Sequence, residues 1–205
     1  MNKLKNHLNT GFSLLELLMA MTITLILLGI ASTLLTAAFG IRTRESQRTD
    51  ALISVQAALS LMSRDIANCG YGIKDNGIVN ADSNQQKLRF RTNIKNNDSL
   101  TDDEGEDITY FHDFSSQTII RHDRFDNPQN STLVNRVSKL TFQYLNYSGS
   151  TSTPTISTTP TATTGRIRII VTITLEPVQG QPNNQTITLI SDICLRNSNY
   201  MLSRY

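Results

Sequence analysis

Few side chains in this sequence are spaced so that chemistry could depend on them, and the most exposed to question is Glu16. It is the single ionisable residue in GFSLLELLMAMTITLILLGIASTLLTAAFGI, Gly11 to Ile41. From Leu17 to Ile41 the chain runs 25 residues without a charge, long enough to cross a bilayer as a helix. A carboxylate beside such a run is costly in lipid, so it calls for a partner or a role. The remaining candidates are weaker. His112 and His122 are the histidines outside the first eleven residues, and Asp113, Asp123 and many serines could be drawn as a hydrolytic triad. No GxSxG elbow, HExxH helix or phosphate-binding loop accompanies them, so no enzymatic role and no cofactor is expected. His112 shares its parity with Ile108 and Tyr110, which places its imidazole on a packed sheet face. The stretch NNDSLTDDEGED, 96–107, holds six acids, Asp98, Asp102, Asp103, Glu104, Glu106 and Asp107. Clustered oxygens suit calcium, but the spacing fits no EF-hand template, and the reading is a solvated loop without metal.

The element that positions Glu16 is an apolar helix preceded by MNKLKNHLNT, which carries Lys3 and Lys5 and no acid. A removable secretory signal has an apolar region of about 7–15 residues ending at a small-residue cleavage site. Here the run is far longer and the acid lies in its first turn. The residues Gly11, Phe12, Ser13, Leu14, Leu15, Glu16 and Leu17 instead resemble the prepilin leader of type IV pilins and type II secretion pseudopilins. The resemblance implies cleavage after Gly11 by a membrane-embedded prepilin peptidase, which also methylates the new terminal residue, Phe12. It further implies that Glu16 neutralises the terminal amine of a neighbouring subunit during assembly. On this reading residues 1–11 are a leader and 12–41 the transmembrane half of a long helix.

Loss of residues 1–11 removes Lys3 and Lys5 and leaves 17 basic against 17 acidic residues. A neutral chain offers no electrostatic footprint for bulk nucleic acid, so no direct contact with it is expected. Two cysteines and no tryptophan suit an exported chain with at most one disulfide. Lysines ahead of the span favour a cytoplasmic N-terminus and an outward C-terminal domain, although Arg42, Arg44 and Arg48 pull the other way.

Beyond Arg44, the residues Leu52, Val55, Leu59, Met62, Ile66 and Cys69 recur in steps of three and four, one stripe along an amphipathic helix over 42–69. The opposite face, Gln47, Asp50, Ser54, Ser63 and Asp65, is expected to be wet. Gly70 and Gly72 end the helix, giving one element from Phe12 to Asn68, with a break near Gly40 as the alternative. Residues 70–205 then read as a β-domain: Leu88 and Phe90, Ile108 and Tyr110, Leu140 to Tyr144, Ile167 to Leu175 and Ile187 to Leu195 alternate with polar neighbours. The fold class is therefore α+β, a long N-terminal helix packed against an antiparallel β-sheet domain, as the resemblance to pilins also implies. The segment SGSTSTPTISTTPTATTG, 148–165, is too polar to bury much surface and is expected to be a mobile, plain solvated excursion.

A second resemblance concerns Ser63 to Ile73, SRDIANCGYGI, which is similar to the helix end of PilW-type minor pilins and J-type type II secretion pseudopilins; Arg64, Asp65, Gly70, Tyr71 and Gly72 carry it. Ile187 to Asn197 and Leu133 to Leu145 resemble strands of the same proteins. Bulk pilins commonly carry a proline in the apolar span, and this chain has none before Pro128, which favours a minor subunit. The resemblance implies a minor pilin that primes pilus assembly at the filament tip. Its partners would be other minor pilins, the major pilin, the prepilin peptidase and the inner-membrane assembly platform. It would sit in the inner membrane with a periplasmic domain, then in the pilus at the cell surface. A pseudopilin, a DNA-uptake pilus component and a membrane-anchored periplasmic enzyme are the alternatives. Cys69 and Cys194 are a candidate disulfide, with two separate thiols as the other reading, because Cys194 has the opposite parity to Ile187, Leu189, Ile193 and Leu195.

Overall fold

The computed structural model describes residues 13–95, 98, 100–148, 153–180 and 182–202. The leader and the Gly11–Phe12 cleavage site lie outside them. Helix α1 runs unbroken from Leu14 to Ala67, through Gly40. The chain divides into two compact units, the helix segment up to Glu45, grouped with residues 178–181, and the domain that begins at Ser46.

In the first unit every large hydrophobic residue from Leu14 to Ile41 is between 53% and 81% exposed, so this part of α1 is apolar all round. Its threonines satisfy themselves. The hydroxyls of Thr22, Thr24, Thr33 and Thr36 donate to the carbonyls of Met19, Ala20, Ile30 and Ser32 at 2.8–2.9 Å. A hydroxyl that bonds back to its own helix carries no unmet donor into lipid.

In the second unit the helical stripe is the spine of the core. Val55, Ala58, Leu59, Met62, Ile66 and Cys69 are all buried. Eight strands cover them: β1 (Lys87–Arg91), β2 (Asp107–Asp113), β3 (Thr118–Asp123), β4 (Asn130–Val134), β5 (Val137–Asn146), β6 (Thr155–Ser157), β7 (Thr164–Thr174) and β8 (Thr186–Cys194). They form two antiparallel sheets, in the orders β1-β2-β3-β4 and β6-β5-β7-β8, so the fold is α+β as expected. Leu88, Phe90, Ile108, Tyr110, Ile119 and Val134 of the first sheet share one core with Leu140, Phe142, Tyr144, Ile167, Ile169, Val171 and Ile173 of the second. The sheets separate at Arg136, whose positive φ of 62° turns the chain between β4 and β5. The junction is then held by the Val137 N–H on the Gln117 carbonyl and by His112 Nε2 donating to the Val137 carbonyl, both 2.8 Å.

Of the expected excursion at 148–165, residues 149–152 lie outside the described residues, and residues 155–164 are not a solvated loop. Residues 155–157 pair with Tyr144–Asn146 as β6, Pro160 and Thr164 are buried, and Thr164 opens β7. The anchor is polar. Thr164 Oγ1 donates to Asn146 Oδ1 at 2.5 Å and accepts from the Thr161 N–H at 2.9 Å, and Asn76 Nδ2 donates to the Thr161 carbonyl at 3.0 Å. Among the described residues of this stretch, hydrogen bonds to β5 and from Asn76 hold 155–164 in place.

Candidate functional site

The candidate residues fall in two regions. In the first unit, the helix starts with the Leu17 N–H on the Ser13 carbonyl at 3.1 Å, and Glu16 stands exposed in the first turn. An acid there complements the partial positive charge of the helix start. In lipid that help is incomplete, because among the described residues no side chain donates to the carboxylate.

The second region is the end of α1, where the sequence SRDIANCGYGI becomes a fixed corner. Gly70, Gly72 and Gly77 all have positive φ, 78°, 71° and 76°. A Cβ on Gly77 would sit 2.2 Å from the Gly70 nitrogen and 2.4 Å from the Arg91 carbonyl oxygen, so the two glycines touch back to back. Around this contact the Gly70 N–H donates to the Arg91 carbonyl at 3.0 Å, and the Arg91 N–H to that of Gly77 at 2.7 Å. Cys69 lies under the corner, its Sγ donating to the Asn76 carbonyl at 2.9 Å. Burial, then the Asp75 charge, push its thiol well above the usual value. Cys194 is half-buried on the outer side of β8, its Sγ 3.9 Å from the Gly165 carbonyl. The structure therefore holds two separate thiols, consistent with the opposite parity of Cys194.

Asp65 is not on a wet face. Its Oδ2 accepts from Tyr110 Oη at 2.7 Å and from Arg121 Nε at 3.1 Å, and Arg121 Nη2 pairs with Asp123 at 3.2 Å. Burial, then the Asp65 charge, raise the Tyr110 hydroxyl well above the phenol range. Helix and first sheet are thus joined by a buried polar network that period-two reasoning missed, because Arg121 faces inward where an apolar residue would normally stand. The paired acid and base, one on a helix and one amid Thr118–Asp123, were the available signal.

The loop acids also split. Glu106 is fully buried and accepts the N–H groups of Lys95 and Asp103, while Asp107 is gripped by Arg89 through two bonds of 2.8 and 2.7 Å and by Arg91 at 3.2 Å. Burial acts to raise the Asp107 carboxyl, but these hydrogen bonds outweigh it and hold it below the ordinary range. Among the described residues no group of three His, Cys, Asp or Glu gathers at metal-binding range. His122 Nδ1 meets Asn130 Oδ1, Asp113 caps Ser115 and Ser116, and Asp123 accepts the Gly105 and Phe125 N–H groups, so the triad residues serve turns and strands.

Comparison with known proteins adds one finding. The family model for the prokaryotic N-terminal methylation motif, the prepilin signal of type IV pilin-like proteins, matches residues 6–32. No curated protein and no solved structure matches the chain.

Proposed function

We propose that the chain is a minor type IV pilin that takes part in priming pilus assembly and sits at the filament tip. The observation that carries this reading is the methylation motif at 6–32 continuing directly into an apolar helix that is exposed on every side, with Glu16 its one ionisable residue. A helix apolar all round is either lipid-facing or buried among like helices, and an assembling filament takes it from one state to the other. In the membrane an isolated carboxylate is costly, up to about 2.5–3.5 kcal/mol at a helix centre by insertion scales, and Glu16 in the first turn bears part of that cost. A neighbour's Phe12 amine, freed by cleavage after Gly11, supplies the missing charge and fixes the axial offset between subunits. The absence of a proline in the span supports a minor subunit over the main one.

Mass spectrometry of the mature protein tests the premise: the first residue should be N-methylated Phe12, and an intact leader overturns it. Glu16→Ala should insert into membranes normally but reduce surface filaments. Unchanged piliation removes the neutralising role. Deletion that abolishes protein secretion and leaves piliation intact would assign the chain to a secretion pseudopilus.

A further inference from the structure

The solvent face of the β1-β2-β3-β4 sheet carries a cleft of about 590 Å³. Lys87 and Arg89 line it from β1, Thr109 and Phe111 from β2 and His122 from β3, with Arg124 beside them. The register explains the grouping. Lys87 pairs with Phe111, Arg89 with Thr109 and Thr109 with His122, so these side chains stand in adjacent rows on one face.

The charge on this face does not balance. Arg89, Arg91 and Arg124 share two carboxylates, Asp82 and Asp107, and Lys87 pairs with neither. All three Arg89 nitrogens are engaged, Nε and Nη2 on Asp107 and Nη1 on Asp82. Arg91 reaches Asp107 through Nε alone, Arg124 approaches it only to 4.0 Å and is 59% exposed, and the Lys87 ammonium has no acceptor among the described residues. Two positive charges and several donors are left over, around an apolar floor one ring wide at Phe111. Asp107 itself is nearly buried and acts as the post on which the three arginines are aligned.

We infer that this cleft binds an acidic saccharide, its carboxylate or phosphate held by Lys87 and Arg124 and its ring lying on Phe111. Thr109, His122 and Gln129 supply donors and acceptors for the hydroxyls. The volume suits a ligand of one or two rings. A nucleic-acid strand needs a basic groove with successive aromatic platforms, and here there is one aromatic ring on the cleft floor in a chain whose overall charge is close to zero. The inference is independent of the pilin reading.

The test uses the full chain in an uncharged polyoxyethylene detergent at about 20 mM salt, with binding followed calorimetrically. Glucuronate and glucose 6-phosphate should bind, and their ranking identifies which anionic group is preferred. Glucose and inorganic phosphate, each lacking half the ligand, should bind at least about tenfold more weakly. Lys87→Met with Arg124→Gln should weaken both acidic sugars about tenfold with the near-ultraviolet dichroism unchanged. Phe111→Ala should weaken the sugars without affecting inorganic phosphate. The inference is overturned if neither acidic sugar binds, if inorganic phosphate binds as well as they do, or if a single-stranded oligonucleotide binds more tightly than either.

Discussion

Gly77→Ala should be among the most damaging single-atom additions in the domain. Left-handed backbone costs an alanine about 1–2 kcal/mol. The added methyl would also lie 2.2 Å from the Gly70 nitrogen and 2.4 Å from the Arg91 oxygen, and neither is the end of a flexible side chain. The corner must open, weakening the Gly70-to-Arg91 and Arg91-to-Gly77 hydrogen bonds. A buried donor or acceptor left unmet costs about 1–3 kcal/mol, so the total is about 2–5 kcal/mol. That is a large share of the roughly 5–15 kcal/mol available to a domain. Gly180 is the internal control: its φ is 77°, but nothing lies within 4 Å of its missing Cβ. Gly180→Ala should therefore cost only the backbone part, about 1–2 kcal/mol. Denaturant unfolding of the full chain in detergent, followed by the near-ultraviolet dichroism of the buried tyrosines Tyr110 and Tyr144, measures both. Equal losses in the two variants would refute the close-approach argument and leave φ as the whole effect.

Other outcomes follow from the same geometry. Met62→Ala, at a fully buried position in the centre of the helix stripe, should cost about 2–5 kcal/mol in the same unfolding assay. Asp65→Ala strands the Tyr110 hydroxyl and removes one partner of Arg121; a loss of about 2–4 kcal/mol is expected, whereas Asp192→Ala at the exposed pair with Arg168 should cost under about 1 kcal/mol. Because the Asp107 carboxyl is held below its unfolded value of about 3.9, its contribution is complete above that pH and lost as pH falls through the lower folded value. Asp107→Asn should flatten this acid limb in a titration of the denaturant midpoint and cost about 3–5 kcal/mol at neutral pH by leaving Arg89 underpaired. Iodoacetamide should label Cys194 in the native protein and Cys69 only after unfolding, without reductant; a bridged pair would label neither.

What the sequence determined by itself is everything set by local periodicity. The 3.6-residue stripe from Leu52 to Cys69, the stop at Gly70 and Gly72, the five alternating strands and the unpaired Glu16 in an apolar run are each readable because a side chain's direction follows from its position in a regular backbone. Tertiary structure decided what depends on a partner distant in sequence. Strand β3 hides behind Arg121, which faces inward because Asp65 and Asp123 are there to receive it. The short strand at 155–157 exists because β5 offers it an edge and Asn76 ties down Thr161. Gly77 is required because Gly70 and Arg91 arrive against it from other segments, and the cationic cleft arises because antiparallel register sets Lys87 and Arg89 beside Phe111 and His122. Such contacts are pairwise between remote positions, and a one-dimensional pattern holds only one member of each pair at a time.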